Sequence, residues 1–344
     1  MPRRTRTAAT AAVTTAVLAA ALAGCGGAAR GSTGSVKIGY FQGAVAGPEA
    51  VVAANADLAS KVPGKIELRP IDSGVAGMAQ LRAGAFPFVS GVGNPPFVGA
   101  FTSGTDVRAV YVESIDASGL AVNDKIKSPA DLKKVGVLVG STLDFQLRGW
   151  LKSQNLTSKV QIASFASEAA EAAAWKAGKI DSVYISQSFL IELQKHDAKV
   201  LVKSTDIAGL GYAAVNMLAV SASYADQHPD VVQGLVCQIS KAETLVKGPE
   251  VAKYVTPASR FLGVKPEDAI TATRSYPYVT TAEETGWLKG ADGTAASGKL
   301  AQNFKLTAEF LVTQGRAKTV PSTAEIAKHI EPKFWDKAQA GGCK

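Results

Sequence analysis

The chain has 344 residues, 47% hydrophobic and 19% charged, enough for roughly two domains with cores of their own and too apolar for disorder. Three cysteines and three scattered histidines (His196, His228, His329) exclude a disulfide-built scaffold and a four-thiolate zinc centre, so no metal or cofactor is expected. The formal charge of +8 includes Arg3, Arg4 and Arg6 at the N-terminus; the other Lys and Arg interleave with acids, so no nucleic-acid partner is expected.

Arg3-Arg4-Thr5-Arg6 precedes Ala8–Ala23, an uncharged stretch of 16 residues. That is short of the ~20 needed to span a bilayer and reads as an export signal. Leu22-Ala23-Gly24-Cys25 resembles a bacterial lipoprotein cleavage site. The resemblance implies loss of residues 1–24 and lipidation of Cys25, with the chain held at the outer face of the cytoplasmic membrane, in the envelope or periplasm. The Gly- and Ser-rich residues 25–35 read as a tether. No uncharged apolar run of 18 residues follows, which excludes a polytopic membrane protein.

From Val36 onward, short β-rich runs alternate with helical ones. Strands are predicted at Val36–Phe41, Ile66–Ile71, Phe86–Val89 and Val107–Val112, with helices at Pro48–Lys61, Val75–Ala83 and Pro96–Thr102. A second series has strands at Val135–Val139, Val160–Phe165, Ile180–Ile185 and Lys199–Lys203, with helices at Leu143–Ser153, Glu168–Ala177 and Phe189–His196. After Ser221 the pattern is mostly helical. Such alternation predicts α/β layers with largely parallel sheets. The two series echo each other: Gly39-x-x-x-Gly43 recurs 97 positions on at Gly136–Gly140, and Leu81-Arg-Ala-Gly-Ala-Phe86 recurs 94 on at Trp175-Lys-Ala-Gly-Lys-Ile180. Two similar lobes facing one another would produce both matches.

Open α/β sheets bind ligands at the carboxyl ends of their strands. Four loops fall there: Phe41-Gln42-Gly43, Ser90–Pro96 with Asn94, Gly140-Ser141-Thr142 and Ser186-Gln187-Ser188. Each places hydroxyls, amides and backbone N–H groups at a helix start, suited to a small anion. Taken singly, helix capping explains the same residues. No loop carries Lys or Arg at its tip, so a compact anion held by neutral donors is expected, with Phe41, Tyr184 and Trp150 as candidate apolar walls. Dinucleotide, P-loop, H-E-x-x-H and G-x-S-x-G motifs are missing. Cys237 lies in an apolar-periodic stretch and Cys343 in the tail; a disulfide between them, or a buried thiol and an exposed one, both fit.

Lys37-Ile-Gly-Tyr40, Ile71-Asp-Ser-Gly74, Gly91-Val-Gly-Asn-Pro95, Ser128-Pro-Ala-Asp-Leu132, Gly140-Ser-Thr142, His228-Pro-Asp-Val-Val232 and above all Ala173-Ala-Trp-Lys-Ala-Gly-Lys-Ile-Asp181 carry a family resemblance. Over Val36–Ala340 the chain resembles the periplasmic-type substrate-binding proteins of ABC transporters, in the taurine, aliphatic-sulfonate and nitrate group and closest to its taurine-binding members. The resemblance implies a two-lobed periplasmic-binding-protein-like fold of type II, a monomer that closes on a small anionic ligand and delivers it to a membrane permease, and no enzymatic activity. Lobe one would comprise 36–121 and 218–344, lobe two 122–217, hinged near Ala117–Asn123 and Asn216–Val220. Ligand contacts would come from Phe41, Gln42, Asn94, Ser141, Thr142, Gln187 and Asn216. Asn216 stands where the taurine-type pattern has Asp, which removes a carboxylate for a ligand ammonium and leaves a sulfonate without an amine open. Asp144, Glu113 and Asp116 are the candidates to replace it. Alternative ligands on the same fold are nitrate, a pyrimidine-type vitamin precursor or an aromatic acid such as phthalate. An exported enzyme on this scaffold is disfavoured by the sparse His and Cys.

Overall fold

The computed structural model describes residues 34–42 and 47–343. The expected signal (1–24), the lipidation site Cys25 and the tether through residue 33 lie outside the described residues, while Ser35 already opens the first strand. Among the described residues no helix is long and apolar enough to cross a membrane.

The first series is β1 (Ser35–Phe41), α1 (Pro48–Ala54), α2 (Ala56–Ala59), β2 (Lys65–Ile71), α3 (Gly74–Arg82), β3 (Phe88–Gly93), α4 (Asn94–Thr102) and β4 (Val107–Ile115). The chain then crosses into β5 (Ser118–Val122), β6 (Lys134–Leu138), α5 (Thr142–Ser153), β7 (Gln161–Phe165), α6 (Glu168–Lys176), β8 (Ser182–Ser186), α7 (Gln187–Gln194), β9 (Lys199–Lys203) and α8 (Ser204–Gly209). It returns through β10 (Val215–Ser221). Helices follow: α9 (Ala222–Gln227), α10 (Pro229–Lys247), α11 (Val251–Leu262), α12 (Pro266–Ser275), α13 (Thr281–Leu288), α14 (Lys299–Thr313), α15 (Thr323–Ala327) and α16 (Lys333–Lys337).

The strands form two five-stranded sheets, ordered β2-β1-β3-β10-β4 and β7-β6-β8-β5-β9. The two orders are equivalent. In each, three strands run parallel, and the fourth is antiparallel and is supplied by a crossover from the other half. The fifth pairs antiparallel to that crossover strand. The sheets are therefore mixed rather than largely parallel, because β5 and β10 had not been read as strands. Their sheet membership also moves the crossings: residues 118–121, expected in lobe one, pair within the second sheet, and 215–217, expected in lobe two, pair within the first.

The sequence echo has a structural basis. Helices α3 and α6 start at Ser73 and Ser167, whose side chains accept from Ala76 N and Ala170 N, each at 3.2 Å. Both stop before a left-handed glycine, Gly84 (φ +76°) and Gly178 (φ +68°), as helices that turn sharply into a strand do. The helix expected over Pro48–Lys61 breaks at Asn55. That residue is extended (φ −111°, ψ 114°) and donates its side-chain amide to Val51 O at 2.7 Å and Tyr254 O at 3.0 Å.

One apolar core surrounds the first sheet and its helices, and the second sheet carries a smaller core on each face. The outer edge of β4 is covered by the C-terminal region: Ala109 N donates to His329 O (2.8 Å) and Glu331 N to Ala109 O (2.9 Å), which shields an edge that would otherwise invite pairing. Phe145 of α5 packs in the first core, its ring centroid 5.5 Å from Tyr212 and 5.6 Å from Phe310 of α14, so the two sheet units share a packed seam. Of the two states left open for the cysteines, the disulfide is the one formed: Cys237 on α10 is bonded to Cys343 (S–S 2.05 Å).

Candidate functional site

The carboxyl end of β3 and the amino end of its antiparallel neighbour β10, in the first sheet, meet the start of α5 in the second unit at a hydrogen-bonded knot. Asp116, in the β4–β5 crossing, is half-buried. Its Oδ2 accepts from Thr142 Oγ1 at 2.8 Å and its Oδ1 from Asn216 Nδ2. Asn216 Nδ2 also lies 3.2 Å from Ser114 Oγ, which donates to Tyr276 OH at 3.3 Å. The two crossings are tied together by Asp116 N, which donates to Ala214 O at 2.8 Å. The fit is close. A Cβ at Gly93 would stand 2.5 Å from Thr142 Cγ2, so only glycine lets β3 approach α5 this nearly.

Carboxylates dominate the surroundings of the knot. Burial pushes the Asp116 carboxyl up, partly offset by the Thr142 and Asn216 hydrogen bonds. Glu168, at the start of α6, is raised by burial and by the Asp116 charge, although its Oε2 accepts from Ser186 N at 2.8 Å. Neither acid forms an ion pair among the described residues. Behind Phe41, Ser90 Oγ lies 3.0 Å from Glu49 Oε2 and 2.6 Å from Glu113 Oε1, while Gly91 N donates to Glu113 Oε2 at 2.7 Å. One hydroxyl proton cannot serve both carboxyls. At least one of the two carboxyls therefore supplies a proton of its own to the pair. Burial raises both acids, and the charge of Glu49 raises Glu113 further. Deeper still, Tyr111 donates to Glu243 (2.6 Å) and Val112 N to Glu284 (2.8 Å), both acids buried. Among the described residues, no group of three His, Cys, Asp or Glu is arranged to hold a metal ion.

The residues singled out from the sequence fare unequally. Thr142 and Asn216 meet in the knot. Gln187 begins α7 with its backbone N–H on Ala117 O (2.9 Å), and its side-chain amide makes no hydrogen bond among the described residues. Ser141 acts as a helix cap: its Oγ accepts from Leu143 N (3.1 Å) and Asp144 N (3.4 Å) and donates to Leu138 O (2.6 Å). Asn94 is fully buried, donating to Thr307 Oγ1 (2.8 Å) and accepting from Val215 N (3.3 Å); its amide is committed to joining α4, α14 and β10. Phe41 lies against Gly91, and together with Gln42 it lines a hollow completed by Pro70, Ile71, Asp72, Leu262 and Gly263. Trp150 and Tyr184 are core residues of the second unit rather than cleft walls. Of the three acids considered as substitutes, Asp144 is taken up by Gly140 N (2.8 Å) and Arg148 Nε (2.6 Å) and Glu113 by Ser90. Only Asp116 reaches the knot.

Four contributors were not read from the sequence. Tyr276 reaches the knot from the loop after α12; the Tyr-Pro-Tyr run was its only signal. Arg316, exposed, lies on the tip of the β6–α5 loop, where a Cβ at Gly140 would come within 1.7 Å of its Nη1. A basic group therefore stands at a loop that carries none of its own. Glu49 and Glu168 looked like ordinary first-turn acids, favoured there by the helix dipole.

Comparison with known proteins agrees with this architecture. The chain is 24% identical to the taurine-binding periplasmic protein of Escherichia coli (strain K12) over 297 residues, 83% of this chain and 89% of that one. The crystal structure of the periplasmic aliphatic sulphonate binding protein from Escherichia coli superposes with a TM-score of 0.69 at 20% identity, covering 87% of this chain and 92% of that one. The periplasmic nitrate-binding protein of Synechocystis PCC 6803 superposes at 0.64 with 13% identity, covering 89% and 88%. These structures share the periplasmic-binding-protein fold. The model of the NMT1-like family matches residues 29–258, two thirds of the sequence, and the chain belongs to that family.

Proposed function

We propose that the chain is the extracytoplasmic solute-binding component of an ABC importer, which captures a small organic sulfonate, taurine-like or aliphatic, between its two sheet units and delivers it to a membrane permease. The observation that carries this reading is the meeting of the two sheet units at the Thr142–Asp116–Asn216 knot, where a ligand touching both units would favour their closed arrangement by its differential affinity. The binding of taurine and aliphatic sulphonate by the named relatives supports the ligand class. Thr142, Gln187 and Asn216 are the polar contacts, Phe41 a wall and Gln42 a rim residue, while Ser141 and Asn94 position the backbone around them. Arg316 at Gly140 supplies the positive charge for the sulfonate, a role first assigned to neutral donors. The Cys25 lipid anchors a monomer at the outer face of the cytoplasmic membrane, and the crossings at 115–118 and 210–215 act as hinges.

Thermal melting of the purified chain against a panel of small sulfonates, nitrate, phthalate and a neutral sugar tests this. A ligand that binds only the folded state raises the melting temperature by mass action. A rise with one or more sulfonates is expected; a rise with the sugar alone would overturn the ligand class.

A further inference from the structure

We infer that Glu49 and Glu113 are positioning residues for capture: with Ser90 they hold one proton beneath the site, and ligand affinity depends on keeping it. The inference rests on the importer reading above and gives it a pH control.

Glu49, Ser90 and Glu113 are all buried, and the Ser90 hydroxyl stands 3.0 Å from Glu49 Oε2 and 2.6 Å from Glu113 Oε1. A hydroxyl donates one proton, so the second contact is a hydrogen bond only when a carboxyl supplies the other. No Lys, Arg or His forms an ion pair with either acid among the described residues. The neighbouring elements bring no balancing charge. Tyr40 of β1 stands beside Glu49. Tyr111 of β4 donates to Glu243 of α10, and Glu284 of α13 accepts from Val112 N. Glu243 Oε1 and Glu284 Oε2 are buried without a hydrogen bond among the described residues, which suits neutral acids better than ionised ones. Tyr276 and Tyr278 follow α12, and Asp116 lies three residues beyond Glu113. Lys247 of α10, the cation beside these tyrosines, donates to the carbonyls of Arg274 (2.9 Å) and Tyr276 and covers the Tyr278 ring. Burial raises both acids of the pair, and the Glu49 charge raises Glu113 further. The proton therefore leaves only as pH rises beyond the ordinary carboxylate range.

Each member of the pair is tied to a part of the site. Glu49 Oε1 fills the space a side chain at Gly47 would take, at the start of α1. Ser90 leads into Gly91, whose left-handed φ of +71° brings it under Phe41; a Cβ there would stand 3.4 Å from the Phe41 ring. Gly91 N donates to Glu113 Oε2 at 2.7 Å, and two residues on Gly93 pairs with Asn216 and abuts Thr142. Glu113 is followed by Ser114, whose Oγ accepts from Asn216 Nδ2 at 3.2 Å. Loss of the proton leaves two carboxylates on one buried hydroxyl, where they repel and Ser90 can hold only one. The strain falls on the strand ends at Gly91–Gly93 and Ser114–Asp116, which bring Phe41, Thr142 and Asn216 together. An anionic ligand adds to the same repulsion, so bound ligand and retained proton favour each other.

Titration calorimetry of the full chain with ethanesulfonate, whose charge is constant over the range, from about pH 5 to about pH 9 provides the test. Wild-type affinity should fall with pH, the slope approaching tenfold per pH unit for one linked proton. Glu113→Gln and Glu49→Gln each give Ser90 a permanent amide donor in place of the carboxyl, so each should bind nearly as well at the alkaline end as at the acid end. A damaged fold lowers affinity at every pH without flattening the profile. A flat wild-type profile, or the same fall in both variants, overturns this inference and leaves the importer reading standing. A ligand-free arm separates the two readings. In urea unfolding, Glu113→Gln should gain stability relative to wild type as pH rises, because only wild type then loses its folded-state proton. Absence of that gain overturns the shared proton even where ethanesulfonate binds. Presence of the gain with ethanesulfonate binding at no pH overturns the sulfonate reading and, with it, the link to capture.

Discussion

Gly93→Ala isolates the contact between the two sheet units. Gly93 has φ −74° and ψ 159°, a conformation any residue adopts, so the backbone tolerates the change. The new methyl, however, would lie 2.5 Å from Thr142 Cγ2, more than an ångström inside ordinary contact between carbons. Thr142 cannot rotate aside without giving up its hydrogen bond to Asp116, and Gly93 is fixed in β3 opposite Asn216. Overpacking of this kind costs about 1–3 kcal/mol. The cost falls on the arrangement in which the units touch and vanishes when they separate. Affinity for the captured sulfonate should therefore drop about 5- to 150-fold, while the melting temperature of the unliganded chain changes little. Titration calorimetry reads the first quantity and scanning calorimetry the second. Unchanged affinity, or a large loss of melting temperature with affinity retained, would refute the reasoning and make the Gly93–Thr142 contact a permanent part of the core.

Three further outcomes follow from the same geometry. Glu171 is fully buried with neither oxygen partnered, and burial followed by the Glu168 charge pushes it from 4.5 to about 9. The folded state thus holds a proton that the unfolded state releases, and stability falls as pH rises from about 4.5 to 9. Glu171→Gln should gain about 3 kcal/mol at pH 7 and nothing at pH 4 in urea unfolding; an equal gain at both would rule out protonation as the cause. Reducing Cys237–Cys343, which closes a sequence separation of 106 residues, should cost about 2–4 kcal/mol, visible as a lower melting temperature with reductant. Ser141→Ala should destabilise the chain by about 1 kcal/mol through loss of its cap and weaken ligand binding far less than Thr142→Ala; the reverse order would mark Ser141 as the direct contact.

Much of the architecture was legible because α3 and α6 obey local rules. Their serine caps, apolar faces and left-handed glycines are written in a few adjacent residues, and the 94-residue offset repeats them together. Strands β5 and β10 were not legible in the same way. Ser118-Gly-Leu-Ala-Val122 is buried throughout and Val215–Val220 nearly so, so neither shows the alternation that marks a half-exposed strand. The site divided along the same line. Thr142 stands at the start of a helix that sequence can place and Asn216 was reached through the family resemblance, whereas Tyr276 and Arg316 arrive from 60 or more residues away in the helical C-terminal region. Glu113 sits in a strand whose pattern gives no hint that its carboxyl is buried against Ser90. For Ser141 the capping chemistry weighed in the sequence is present in the structure, its hydroxyl having two N–H donors and one carbonyl acceptor close by in the chain.

Capture between two closing units is tested most directly by small-angle scattering of the purified chain with and without a saturating sulfonate. Closure predicts a smaller radius of gyration in the presence of ligand, reversed on its removal and blunted in Gly93→Ala. An identical radius with and without a sulfonate shown by calorimetry to be bound would contradict it.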